Sequence, residues 1–403
     1  MDIPFPIRPE AVAAPESGIV TLMEYGRGRE GLIPLWVGEG DLATPAFIME
    51  AATRSLAAGE TFYTYQRGLP ELREAISAYM TRHYGRGGPI ERYTVTIGGM
   101  HAIQLALRLV AGPGDEVIVP SPAWPNGPAA IGVVGAQAVE ARLHLAEGGW
   151  QLDMARLAEA VTPRTKALLI NTPANPTGWT ASLDDLRAIR DLARKHDLWI
   201  IADEIYGRFL HEESLGHEES LGINARAPSF HDIAEDDEKI LYVQTMSKNW
   251  AMTGWRIGWI EAPAALAQII ENLVQYSTSG VPVFVQRAAI AALNQGEGFV
   301  AHQLERARRG RRIVHDALAR IPDLEAPPPA GAFYAYFRAP GRDGEALARA
   351  LVDEANVGLA PGGAFGAAGA DCLRLCFARR PEDLETAMAR LVPVLEKALA
   401  GPV

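Results

Sequence analysis

From about residue 93 onward, short apolar runs alternate with longer stretches in which apolar residues recur every three or four positions. The runs Tyr93 to Ile97, Glu116 to Val119, Ala167 to Ile170, Leu198 to Ala202 and Ile240 to Val243 are rich in Val, Ile and Leu. They read as strands buried on both faces, the pattern of a parallel sheet covered by helices. Trp255 to Ile260 is a further strand candidate. Leu72, Ile76, Tyr79 and Met80 share a helical face after the Gly68-Leu69-Pro70 turn, with Pro70 in the permitted first turn. A second helix is expected from His101 to Val110, stopped by Gly112-Pro113-Gly114-Asp115. Residues 1 to about 30 read as irregular, because Pro4, Pro6, Pro9 and Pro15 break any helix.

After about residue 290 the pattern changes. A basic helix from Gln303 to Ala319 precedes the break Pro327-Pro328-Pro329. Strand patterns follow at Phe333 to Phe337 and Leu373 to Phe377, with a final helix from about Glu382. The expected fold class is therefore α/β. A large, mostly parallel sheet domain spans residues 45–290, and a smaller α+β domain combines residues 1–44 with 291–403.

Composition narrows the partners. The 403 residues carry a net charge of -11, which argues against a nucleic acid or an anionic membrane surface. No apolar run is long enough to span a bilayer, and Met1-Asp2-Ile3-Pro4 lacks the pattern of a signal peptide. A reducing cytoplasm is the default reading. The two cysteines fit it: on a strand, Cys372 and Cys376 point to the same face, too far apart to bond, and read as buried free thiols. The tandem His211-Glu212-Glu213-Ser214-Leu215-Gly216 and His217-Glu218-Glu219-Ser220-Leu221-Gly222 reads as a surface loop lengthened by duplication. No metal site is expected there, because nothing fixes a coordination geometry.

Four loci carry candidate chemistry, three of them at the carboxyl ends of expected parallel strands, where open α/β sheets place ligands. Lys248 follows an apolar strand; alone it would be a solvated loop residue, but a lysine of lowered pKa is the usual imine-forming nucleophile. Arg256, eight residues on, is placed to depress that pKa and to pair with a phosphate. Asp203 ends a fully apolar strand; it either caps a helix or meets a cation such as a protonated pyridine nitrogen. Asn171-Thr172-Pro173-Ala174-Asn175-Pro176-Thr177-Gly178 is an ordinary turn composition, or a rigid loop that aims an amide at a ligand oxygen. Gly98-Gly99-Met100-His101 opens a helix where backbone N–H groups and the dipole favour an anion.

Taken together and in order, these motifs resemble the fold-type I pyridoxal-phosphate aminotransferases, class I/II, of the aspartate-aminotransferase-like group. The resemblance covers nearly the whole chain. It includes Gly38-Glu39-Gly40-Asp41, Tyr63, Gly68-Leu69-Pro70-Glu71-Leu72-Arg73, Ser121-Pro122-Ala123-Trp124 and Asp203-Glu204-Ile205-Tyr206. It ends with Ser247-Lys248 to Arg256, Pro361-Gly362-Gly363-Ala364-Phe365-Gly366 and Leu373-Arg374.

The resemblance implies pyridoxal 5'-phosphate as cofactor, held as a Schiff base on Lys248, which also shuttles the proton between substrate Cα and the cofactor's C4′. It implies that Asp203 pairs with the ring nitrogen, Tyr206 and Asn175 with the phenolic oxygen, and that Trp124 stacks on the ring. Gly99, Met100, His101, Thr245, Ser247 and Arg256 would bind the phosphate. Tyr63 would reach it from a neighbouring subunit, which implies a homodimer with shared sites. Arg374 would grip the substrate carboxylate, helped by Asn175 and the Gly38 backbone. The reaction expected is ping-pong transamination between an L-amino acid and a 2-oxo acid.

Gly40 and Ala123 depart from the commonest family pattern, where proline and an aromatic residue stand, and leave the donor open. A carbon–sulfur β-lyase on the same fold is the closest rival activity. An acyltransferase fits less well with Arg256 and Arg374. A cofactor-sensing regulator would bring an N-terminal DNA-binding domain, and only about 30 residues precede the match.

Overall fold

The computed structural model describes residues 5–146, 148–211 and 225–401. Its centre is a seven-stranded sheet. In chain order the strands are β1 (Tyr93–Thr96), β2 (Glu116–Ser121), β3 (Gln137–Arg142), β4 (Thr165–Asn171), β5 (Trp199–Asp203), β6 (Ile240–Thr245) and β7 (Gly258–Glu261). In space they run β1-β7-β6-β5-β4-β2-β3. β7 is antiparallel to both β1 and β6, and the pairs from β6 to β3 are all parallel.

The apolar runs reflect burial on both faces. Ile118, Leu168, Ile170, Ile200, Ala202 and Tyr242 lie in one core cluster, while Val117, Leu169, Ile201, Leu241 and Val243 lie in the other. Adjacent residues of one strand thus enter opposite cores, as a period of two requires. Only β3 escaped the sequence reading. It is an edge strand, and residues such as Gln137, Glu140 and Arg142 leave it no apolar run.

A smaller antiparallel sheet joins β8 (Tyr334–Arg338), β9 (Ala360–Pro361) and β10 (Cys372–Cys376) in the order β8-β10-β9. Arg374 sits mid-strand opposite Tyr336 and Ala360. Both cysteines are buried and free, as expected. The long helix spans Glu297–Leu318, six residues earlier than its apolar periodicity suggests, and packs against the terminal helix Pro381–Ala400.

The N-terminal region corrects the sequence reading. The prolines all precede Ser17, whose side chain accepts from Val20 N–H and caps a helix, α1 (Gly18–Gly26). Leu22 is buried on it, and Gly26 lies so close to the Trp36 ring that a Cβ there would come within 2.4 Å. Pro9 itself opens a four-residue helix, where its missing N–H costs nothing. Ile33–Pro34 then pairs in parallel with Val357–Gly358, so the start of the chain is tied to its C-terminal third.

Two further helices matter to the site. α2 (Pro70–Tyr84) begins at its proline and stops at Gly85 in the left-handed region, φ 68°. α3 (Gly99–Val110) starts two residues before the expected His101. Among the described residues, no helix is long and apolar enough to cross a membrane, and no group of three or more His, Cys, Asp or Glu could hold a metal ion. The duplicated segment from 212 to 222 lies outside the described residues; His211 is buried and bonds the Ala332 carbonyl at 2.9 Å.

Candidate active site

β4, β5 and β6 are parallel neighbours, so their carboxyl ends bring Asn171, Asp203 and Thr245 to one edge of the sheet. They open into a cavity of about 380 Å³ closed by α1, the segment Trp36 to Glu39, Trp124 and the smaller sheet. This is the carboxyl-end crevice in which open α/β sheets bind ligands. Lys248, Arg256, Asn175, Tyr206, Met100 and Arg374 also line it.

Lys248 is held at the cavity by one strong contact: its Nζ donates to the Gly38 carbonyl at 2.7 Å. Burial lowers its pKa to about 8; Arg374 and then Arg256 push the same way, against Cys376 and Glu39. Burial therefore does the work that the sequence reading gave to Arg256. The consequence is an amine with a substantial neutral fraction, which is what a nucleophile and base require.

Asp203 is 3 % exposed, and its Oδ1 has no hydrogen-bond partner. Burial pushes its carboxyl up to about 7, opposed by the Ile205 N–H and by the charge of Lys248. The strand end is locked around it, since Asn171 Nδ2 and Thr172 N both donate to the Asp203 carbonyl. An unpartnered buried carboxyl facing a cavity is costly until a cation or N–H donor arrives.

Tyr206 lies directly after this strand. Its hydroxyl shares a 2.7 Å hydrogen bond with Tyr334, and the rings meet edge to face at 5.6 Å. Burial raises both phenols, which keeps them neutral donors.

The anion end is built from backbone. Gly98 caps α3 at φ 86°, and a Cβ on it would lie 2.7 Å from Arg256 Nη2. Only glycine lets that guanidinium approach the helix start. The first N–H groups of α3 have no carbonyl a turn behind them, so they and Arg256 face the same space. Arg256 itself adopts the left-handed conformation, φ 54°, and its Nη1 donates to Thr253 O at 2.7 Å. Ser247 N and the Ser247 hydroxyl both bond Thr245 Oγ1, at 3.2 and 2.9 Å.

Arg374 is 2 % exposed. It lies between Tyr334 and Phe365, each with its ring centroid 4.7 Å from the guanidinium carbon. Its Nη1 donates to Asn175 Oδ1 at 2.9 Å and its Nη2 to the Trp36 carbonyl. Among the described residues no carboxylate pairs with it. A buried guanidinium of this kind is costly until an anion meets it, and a carboxylate matches its fork.

Two of the expected residues lie elsewhere. The His101 ring turns away from the cavity: its Nδ1 accepts from Ile97 N at 3.3 Å and its Nε2 meets Ser277 Oγ at 3.1 Å, while burial lowers its pKa to about 4. The ring is neutral and bonded at both nitrogens, and His101 N donates to Gly98 O at 3.2 Å, so the free N–H groups at this helix start are those of Gly99 and Met100. Tyr63 is 95 % exposed and does not line the cavity of its own chain. Conversely, the sequence reading gave no role to Tyr334, Phe365 or α1. Phe365 stood inside a quoted motif, but nothing local shows that it covers Arg374.

Pyridoxal phosphate, the cofactor implied by the sequence resemblance, fits these features. Lys248 offers an amine for its aldehyde, Asp203 an unsatisfied oxygen for its ring N–H, and the start of α3 with Arg256 a cradle for its phosphate.

Comparison with known proteins agrees. The family described as aminotransferase class I and II matches residues 30–391. An aspartate/prephenate aminotransferase from Thermus thermophilus is 35 % identical over 396 residues, covering 97 % of each chain. An arginine–pyruvate transaminase from Pseudomonas aeruginosa is 34 % identical, covering 90 % of this chain and 89 % of that one. The crystal structure of an aromatic aminotransferase from Pyrococcus horikoshii superimposes with a TM-score of 0.85 at 32 % identity, covering 95 % of this chain and 100 % of that one.

The raised Asp203 carboxyl has a measurable consequence in the cofactor-free protein. Between about pH 7 and pH 4 the folded chain holds a proton there that the unfolded chain has released, so this group's contribution to stability rises as pH falls through that window. Asp203→Asn, which cannot titrate, should unfold at a higher denaturant concentration than wild type at about pH 8. That advantage should shrink towards pH 4; parallel curves across the range would contradict the assignment.

Proposed function

The chain belongs to the class I and II aminotransferases and is a pyridoxal-phosphate-dependent transaminase of amino and 2-oxo acids, and from that premise we propose the roles of its residues. The observation that carries them is a pair of half-satisfied buried groups in one cavity. Asp203 lacks a cation and Arg374 lacks a carboxylate. The cofactor's ring supplies the first and the substrate supplies the second.

When bound, pyridoxal phosphate supplies an aldehyde for the amine and an aromatic ring that draws off the electron pair released when the Cα–H bond breaks. Lys248 Nζ holds that aldehyde between turnovers. As a free amine it is neutral in an appreciable fraction near its pKa of about 8 and would take up the proton released from Cα. The Gly38 carbonyl keeps it on the substrate side. Asp203 holds the ring N–H with its free oxygen, and this contact stabilises its carboxylate form. Tyr206 and Asn175 bond the phenolic oxygen, and Trp124 covers the ring face. The Gly99 and Met100 backbone, with Thr245, Ser247 and Arg256, would bind the phosphate. Arg374, with Asn175 and the Gly38 backbone, binds the substrate α-carboxylate.

The working unit is a homodimer. Phe62, Tyr63, Tyr65 and Tyr276 are exposed by 84, 95, 61 and 88 %, an aromatic surface suited to a second copy, from which Tyr63 completes the phosphate site. The large unit of residues 45–290 carries the cofactor groups, and the unit formed by 1–44 and 291–403 carries Arg374 and closes over them. The two buried free thiols support a cytoplasmic setting.

Lys248→Ala should lose the visible absorbance of the loaded protein and lower kcat by about 100- to 10,000-fold; wild-type turnover would end the assignment. Arg374→Lys keeps the charge but loses the fork. It should raise KM about 10- to 100-fold for every donor, read from initial rates across a donor panel. Tyr63→Phe should weaken cofactor affinity by up to about 10-fold while sedimentation still shows a dimer.

A further inference from the structure

Among the described residues of one protomer, Lys248, Arg256 and Arg374 are the only cations lining the cavity, and each has a role in the reading above. Apart from Ser17, whose hydroxyl caps the helix, what α1 presents to the cavity is apolar. Ile19 and Met23 lie one helical turn apart, and Val20 stands beside them, 51 % exposed at the mouth.

One short segment ties together the two groups that would hold the substrate. The Trp36 carbonyl holds Arg374 and the Gly38 carbonyl holds Lys248, and Val37, the residue between, lines the cavity. Val37 and α1 line the same cavity as Arg374 and Lys248, which puts an apolar wall beside a substrate held by those two groups. The Trp36 ring also carries α1, because Gly26 packs against it. One residue therefore sets the spacing between the carboxylate grip and the side-chain wall.

We propose that the donor side chain is uncharged and apolar, of the leucine, methionine or phenylalanine class, and that Ile19, Val20, Met23 and Val37 form the subsite that selects it. This rests on the residue roles given above. An anionic side chain would be stripped of water here with no cation to meet it. The nearby acid, Glu39, is already engaged by Thr253 Oγ1 at 2.9 Å and would repel a second carboxylate. Among the described residues a cationic side chain would find two carboxylates in the cavity, Glu39 and Asp203, the first engaged by Thr253 and the second given to the cofactor ring in the reading above. An apolar side chain is favoured by burial alone.

The test is single-turnover reaction of the holoenzyme with leucine, methionine, phenylalanine, aspartate and arginine, followed by loss of the visible absorbance. The apolar donors should exceed aspartate and arginine by about 100-fold or more in second-order rate constant. Val20→Arg adds a cation at the mouth and should raise the aspartate value about 10-fold or more while lowering that of leucine. Preference of the wild type for aspartate or arginine, or an unchanged aspartate value in Val20→Arg, overturns the inference and leaves the roles of Lys248 and Arg374 standing. No reaction with any donor would overturn those roles and the inference with them.

Discussion

The Arg374 guanidinium is taken out of water and left without a carboxylate, and much of the site is arranged around that cost. Its fork reaches the Asn175 amide on one side and the Trp36 carbonyl on the other, while Tyr334 and Phe365 cover its two faces. Those contacts come from four separate stretches of chain. Together they bring the N-terminal segment, the loop after β4 and the smaller sheet to one point. None of them cancels the charge. The interior therefore keeps a cation at a position set by four constraints rather than one, which is why we propose it as the grip for the substrate carboxylate.

The opposite wall holds the complementary debt. Asp203 is buried at the end of β5 with one oxygen unsatisfied, and Lys248 is half-buried beyond the end of β6 with its pKa brought down. The parallel sheet makes this possible, because its strand ends are fixed by two cores and cannot relax to solvate either group. There the low dielectric favours the neutral acid and the neutral amine. In the proposed reading a ring N–H would restore the carboxylate, and the amine would stay near the pH at which it can both attack and accept a proton.

Much of this was legible in the sequence. The strands that carry Asn171, Asp203 and Thr245 were legible because burial on both faces demands uninterrupted apolar runs. The edge strand β3 was not, since one exposed flank permits Gln137, Glu140 and Arg142. The α1 helix was missed because prolines upstream were taken to govern it, although Ser17 restarts the chain in a capped helix. The family resemblance implied His101 as a phosphate ligand. Sequence position fixes its backbone there but not its ring, which packing turns towards Ser277.

By itself, the sequence determined the alternation of buried strands and helices, the order of the motifs and the covalent neighbours of Lys248, because these depend on local periodicity and on residue chemistry. Only the tertiary structure decided what the groups meet. It closed Phe365 and Tyr334 over Arg374, brought α1 to the cavity and left Asp203 Oδ1 unpartnered. It also showed that burial, ahead of Arg256, lowers the Lys248 pKa. Arg374 meets Asn175 and Trp36 across 199 and 338 positions of chain, and even Tyr334 and Phe365 reach it from other elements. The free energies of such contacts come from desolvation, which is a property of the packed interior and has no signature along the chain.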